Sequence, residues 1–169
     1  MRAAARRLGA GVDIGSFTNH PSDVAFDPAN RGQIRAAWEA QGEPVAWLSE
    51  VIERVEPDLV LTLDPGHGYT GHVEHAVASE LVQEAVRSSA ESPVVFLVLN
   101  RYEALEQLWL DPSQPTEEWD ATRDCGTGPC VKLAVEVGRE HESQLGPTLG
   151  LLLLLLEKQE TVHLRRVGR

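Results

Sequence analysis

Three histidines and a carboxylate fall within nine positions of one stretch, Gly66-His67-Gly68-Tyr69-Thr70-Gly71-His72-Val73-Glu74-His75. The glycines predict a loop, and the residues after it predict a helix start. Side chains three apart on a helix share a face, so His72 and His75 point the same way from its first turn. Neutral imidazoles suit zinc, and a catalytic zinc keeps three protein ligands plus an open position. The positive end of the helix favours the neutral ring, the form that binds metal. The same pair has a plainer reading: loop histidines that cap the helix and face solvent.

The flanking elements decide where this stretch sits. Leu59-Val60-Leu61-Thr62-Leu63 is a short apolar run ending in the turn Asp64-Pro65-Gly66, and it reads as a buried parallel strand. A helix follows over residues 72–86 with Val77, Ala78, Leu81, Val82 and Ala85 inward, then a second buried strand over residues 94–99. Upstream, Leu48, Val51, Ile52 and Val55 recur at helical spacing until Pro57. Asp27-Pro28 is an N-cap with Pro at the first helical position, ahead of a helix carrying Ile34, Ala37 and Trp38 inward. Helix, strand, helix, strand is the pattern of a doubly wound α/β sheet, which binds ligands beyond the carboxyl ends of its strands. Residues 64–71 lie at such an end.

The remaining segments are less regular. Residues 1–8 predict an Ala/Arg helix stopped by Gly9, and residues 11–17 a short strand. Residues 101–130, with Trp109, Trp119 and several Pro and Gly, read as a lid or insertion. A helix is expected over residues 131–145, a buried helix or strand at the Leu-rich block 151–156, and a last strand over residues 161–167. Trp38 and Trp47 are expected in the core. Glu117, Glu118 and Asp120 read as a solvated loop, and residues 165–169 as a solvated terminus.

Composition sets outer bounds. The chain has 169 residues, 42% hydrophobic and 24% charged, with a formal net charge of -11. That is enough for one domain over residues 1–169, and it disfavours nucleic acid and anionic membranes as partners. The greasy block 151–156 is too short to span a bilayer. No apolar stretch follows Met1, so a reducing cytoplasm is the expected setting, and Cys125 and Cys130 are expected as two free thiols. A homo-oligomer is compatible with all of this.

Two motifs in order give a more specific reading. Thr62-Leu63-Asp64-Pro65 precedes Gly71-His72-Val73-Glu74-His75, and Lys132, Ala134, His141, Ser143 and Gln144 follow. This resembles the LmbE-like (PIG-L) family of zinc-dependent N-acetylglucosaminyl deacetylases, whose members carry Thr-x-Asp-Pro, then Gly-His-Pro-Asp-His, then Lys-x-x-Ala and His with Ser-Gln. Val73 and Glu74 stand where the family has Pro and Asp. The resemblance implies a Rossmann-like doubly wound, mostly parallel α/β sheet, and hydrolytic deacetylation of an N-acetylated amino-sugar conjugate. It implies His75 as a zinc (or other divalent metal) ligand and His72 as the group that stabilises the tetrahedral transition state or protonates the leaving amine. Glu74 becomes the acidic neighbour tuning His72, and Asp64 and Tyr69 the substrate contacts. His141 is expected in a structural role, and Glu160 could be the Glu that leads the family's last strand.

The family's first motif, Ala-His-Pro-Asp-Asp-Glu, supplies two metal ligands and the general base. It has no counterpart ahead of the Ala/Arg helix, so the expectation is a sheet lacking its first strand, weak or absent metal and doubtful activity. His20-Pro21-Ser22-Asp23 repeats the His and Asp spacing of that motif but comes after the helix, and reads as a loop turn. The alternative function is a non-catalytic sugar- or partner-binding relative that keeps the fold.

Overall fold

The computed structural model describes residues 2–90, 93–99, 114–126, 128–140 and 153–167, without the side chains of Ser22, Tyr69 and Thr70. They divide into two compact units. The first holds residues 1–14, 101–109 and 118–162, and the second residues 15–100, 110–117 and 163–169.

The second unit carries the α/β pattern. Its elements are α2 (Ser22–Ala25), a 3-10 turn (Pro28–Asn30), α3 (Arg31–Gln41), α4 (Pro44–Val55), β1 (Leu59–Leu63), α5 (Gly68–Gly71), α6 (Val73–Ser88) and β2 (Val94–Val98). Asp27 caps the 3-10 turn by accepting from Ala29 N, as its place before Pro28 predicts. Pro44 opens α4, and Glu56 ends it in the left-handed region with its N–H on Ile52 O. β1 and β2 pair in parallel, Leu59 with Val94 through Leu63 with Val98. Two parallel strands need a crossover, and α6 supplies it.

The last strand, β4 (Thr161–Val167), pairs with β2 antiparallel, so the sheet is mixed rather than uniformly parallel. Within the second unit its order is β1-β2-β4, and β3 spans Glu117–Asp120. At the start of β3 in the second unit, Thr116 N donates to Leu164 O.

Two apolar clusters hold this unit. Ile52, Ala85, Val86, Val95, Leu97 and Leu99 form one, where α4 and α6 lie on the strands. Ile34, Trp38, Val73, Val77 and Leu81 form the other, where α3 meets α6. α6 therefore buries two faces. Each of Ile34, Val77 and Leu81, at 2% exposure or less, contributes about 1.5–3 kcal/mol on leaving water. Trp38 is buried as expected, and Trp47 is half-buried against Phe17.

Several expectations need correcting. β1 is parallel but not buried: Leu59 and Leu61 are exposed, because β1 ends the sheet order and buries only one face. Residues 11–17 form no strand; the boundary between the units falls after Ile14, and the anchor there is Phe17 on Trp38 and Trp47. Glu117, Glu118 and Asp120 are exposed but stand on β3 rather than in a loop.

In the first unit, α1 (Arg2–Arg7) packs on α7 (Cys130–Arg139), with Arg7 paired to Glu136 at 2.5 Å. α7 matches the predicted helix as far as Arg139; residues 141–145 lie outside the described residues, and His141, Ser143 and Gln144 with them. Residues 153–156 form a helical turn, but Leu154 is 60% exposed, so this part of the Leu block is not buried. Cys125 and Cys130 are joined in a disulfide rather than free. The turn between them makes this reachable: Asp124 Oδ1 accepts from Gly126 N and Gly128 N, Cys125 N donates to Gly128 O, and the two Cα atoms come to 5.0 Å. Sequence spacing carries no sign of that fold-back. Of the expected lid, residues 101–113 and 127 lie outside the described residues.

Candidate functional site

The loop after β1 is built around Asp64. Its side chain is 4% exposed, and both oxygens are engaged. Oδ2 accepts from His67 N at 2.8 Å, with His67 Nδ1 at 3.4 Å, and Oδ1 accepts from Arg165 Nη2 at 2.7 Å. Arg165 stands on β4, so it is not part of a merely solvated terminus. A side chain at Gly66 would put a Cβ 2.8 Å from Asp64 Oδ2, which is why the turn needs glycine there. Asp64 O accepts Gly68 N, and Gly68 turns the chain with φ +57. The carboxylate thus pins the loop to the sheet.

α5 and α6 then place the histidines. His72 caps α6 through an extended backbone and makes no side-chain cap bond. Its ring stacks on His75 at 4.8 Å between centroids and meets the edge of Phe26 at 4.6 Å. It is 22% exposed, so the solvent-facing cap reading does not hold for it. His72 Nδ1 is buried with no hydrogen-bond partner among the described residues, and the Glu74 Oε2 atom lies 3.7 Å from it. Burial, then the neighbouring His75, push the His72 pKa below its usual 6.5, and Glu74 pulls the other way. The neutral ring is favoured, by burial and the neighbouring His75 rather than by the helix end that the sequence argument invoked.

His75 Nδ1 lies 3.0 Å from Gly68 O. A carbonyl can only accept, so Nδ1 carries the proton. Glu74 is 5% exposed at the first turn of α6. Its Oε1 accepts from the backbone N of His20 at 2.5 Å and lies 2.9 Å from His20 Nδ1. His20 is therefore more than a loop turn: it reaches the motif from 54 residues away.

A pocket of about 120 Å³ opens beside this group, lined by Pro28, Arg31, Gly66, His67, Gly71, His72, Val73 and Ala76. Arg31 holds Pro65 O and pairs with Glu80 at 2.7 Å. Tyr69 lies on α5, but its side chain is outside the described residues.

The structure brings His72, Glu74, His75 and His20 together, with Asp64 at the base of the same loop. Arg31 and Arg165 were not singled out as site residues by sequence, and His67 only as one of the three histidines of the loop. Only the i, i+3 spacing of Asp64 and His67 gave a signal. Among the described residues no three His, Cys, Asp or Glu stand close enough to hold a metal ion. The described residues alone do not complete a three-ligand zinc site.

The chain is 34% identical over 86 residues to a 1D-myo-inositol 2-acetamido-2-deoxy-alpha-D-glucopyranoside deacetylase of Corynebacterium diphtheriae. The match takes in 51% of this chain and 28% of that enzyme, so the chain spans about a quarter of its relative's length. No protein-family description matches the chain, and no solved structure does. No helix among the described residues is long and apolar enough to cross a membrane.

Proposed function

We propose that the chain carries part of an N-deacetylase site of the LmbE-like (PIG-L) type, acting on the acetamide of an amino-sugar conjugate. The observation that carries this reading is the half-buried His72 at the wall of the pocket with the buried Glu74 carboxylate behind it, together with 34% identity over 86 residues to a sugar deacetylase. Hydrolysis adds water to the acetamide carbonyl, breaks the C–N bond and gives the amine a proton. A neutral His72 takes up the proton released by the attacking water and, as imidazolium, returns it to the leaving nitrogen. Glu74 supplies the countercharge for the imidazolium step, and burial, with the close-packed His75, keeps the resting ring neutral. Asp64 acts by holding the loop. Zinc, a cytoplasmic setting and self-association enter only through the resemblance and the sequence.

A second reading has its own support. The lack of a three-ligand group among the described residues favours a relative that binds an amino sugar without cleaving it.

One experiment separates the two. An N-acetylglucosaminyl-inositol conjugate is incubated with the chain, with and without added Zn²⁺; acetate is quantified, and binding is measured by calorimetry. Acetate release that His72→Ala removes supports the deacetylase. Heat of binding without acetate supports the binding relative. Neither signal overturns both.

A further inference from the structure

We propose that His20 is a positioning residue for this site, fixing the carboxylate of Glu74 so that its free oxygen orients the His72 ring. The inference rests on His72 being the proton-carrying group proposed above. Its geometry stands independently of that reading.

Two donors of His20, the backbone N–H and the ring Nδ1–H, converge on one oxygen, Oε1 of Glu74. A carboxylate held twice through one oxygen cannot turn about its last bond without losing both contacts. The second oxygen, Oε2, is left directed towards His72 Nδ1, which is buried and has no hydrogen-bond partner among the described residues. A proton on His72 Nδ1 faces that negative charge, whereas a lone pair there would be repelled. The clamp thus selects the Nδ1–H tautomer and leaves Nε2 as the nitrogen able to meet a ligand.

His20 is itself held on both sides. Before it, Thr18 O accepts from Trp38 Nε1 at 3.1 Å, and Thr18 N donates to Gln41 Oε1. After it, Pro21 disfavours a helical backbone at His20, and Pro21 O accepts from Val24 N and Ala25 N as α2 begins. Ala25 is fully buried, and Asn30 Nδ2 binds Val24 O. His20 is itself mostly buried, at 14% side-chain exposure. A histidine anchored this way has one place to point, and it points at Glu74.

The test uses the full chain labelled with ¹⁵N-histidine, at about pH 8.5, where imidazoles are neutral. Long-range ¹H–¹⁵N spectra report the tautomer of His72. His20→Phe keeps the ring shape but removes the side-chain donor. His20→Asn places an amide N–H where Nδ1–H stood. The expected result is an Nδ1–H His72 in the wild type, a mixture of tautomers in His20→Phe, and the wild-type pattern restored in His20→Asn. Glu74→Gln, which removes the charge facing His72 and weakens the acceptor that His20 holds, should give the His20→Phe pattern. In acetate release, His20→Phe should lower kcat by about 10- to 100-fold with KM little changed, and His20→Asn should recover most of it. A wild-type His72 spectrum in His20→Phe, or no recovery in His20→Asn, overturns the proposal. If the wild type releases no acetate, the deacetylase reading fails, while the tautomer spectra still decide the role of His20.

Discussion

Replacing Arg165 with Met should destabilise the chain more than replacing Asp64 with Asn, although both remove the same ion pair. Arg165→Met keeps the stem of the side chain and deletes the charge. Asp64, 3% exposed, is then left as a buried carboxylate whose strongest remaining contact is His67 N–H. Stripping one partner from a buried pair costs about 3–5 kcal/mol. Arg165 is 29% exposed, so part of the attraction is already screened, and about 2–3 kcal/mol is the better expectation. Asp64→Asn leaves a guanidinium that can turn towards water, and the Asn carbonyl still accepts one of the two bonds, so about 1–2 kcal/mol is lost. The double variant should cost less than the sum of the two singles. Urea unfolding in about 0.15 M salt measures all three, read as midpoint changes at constant slope. The reasoning is refuted if Arg165→Met costs less than about 0.5 kcal/mol, or if Asp64→Asn proves the more damaging.

Three further outcomes follow from the same geometry. Gly68→Ala should destabilise by at least about 1–2 kcal/mol, because φ is +57 and the added Cβ would meet the backbone N of Ala76 at 2.9 Å; an unchanged urea midpoint would contradict this. The lowered His72 pKa predicts a pH dependence. Above about pH 6.5 the ring is neutral folded or unfolded and contributes nothing. Below it the unfolded chain takes up a proton that the folded ring resists, so stability falls until the pH passes the folded value. His72→Phe should flatten that part of the profile, measured by urea midpoints at about pH 8 and pH 5. Opening the Cys125–Cys130 bridge, which closes a loop with a separation of 5, should cost about 2 kcal/mol in the chain-entropy account. Cys125→Ser with Cys130→Ser and added reductant should give the same midpoint, and two alkylation adducts without reductant would show that the thiols are free.

Local signals in the sequence were strong enough to find the elements around the site. The apolar spacing of α4 and α6, the cap at Asp27 and the runs at β1 and β2 all depend on neighbours within a few residues. What failed depended on distant partners. The exposure of Leu61 follows from β1 ending the sheet order, which the run Leu59–Leu63 does not encode. Arg165 looks like one more basic residue near the end of the chain until β4 is laid beside β2. The disulfide follows from a turn stitched by Asp124, and a spacing of five gave no hint of it.

The same distinction limits what a motif match can mean here. The string from Asp64 to His75 contains every residue type the proposed chemistry needs, yet its two buried carboxylates are completed from outside the string. Asp64 is engaged by Arg165, 101 residues later, and Glu74 by His20, 54 residues earlier. A buried carboxylate without such donors would cost several kcal/mol or take up a proton. In a chain with net charge -11, such donors are not supplied by a general excess of basic residues. They come from two specific side chains, each fixed by its own element. A relative that kept Gly-His-x-Glu-His but lost His20 or Arg165 would match the motif and lack this geometry. His20 and Arg165 therefore discriminate the arrangement seen here better than the loop residues that first draw attention to it.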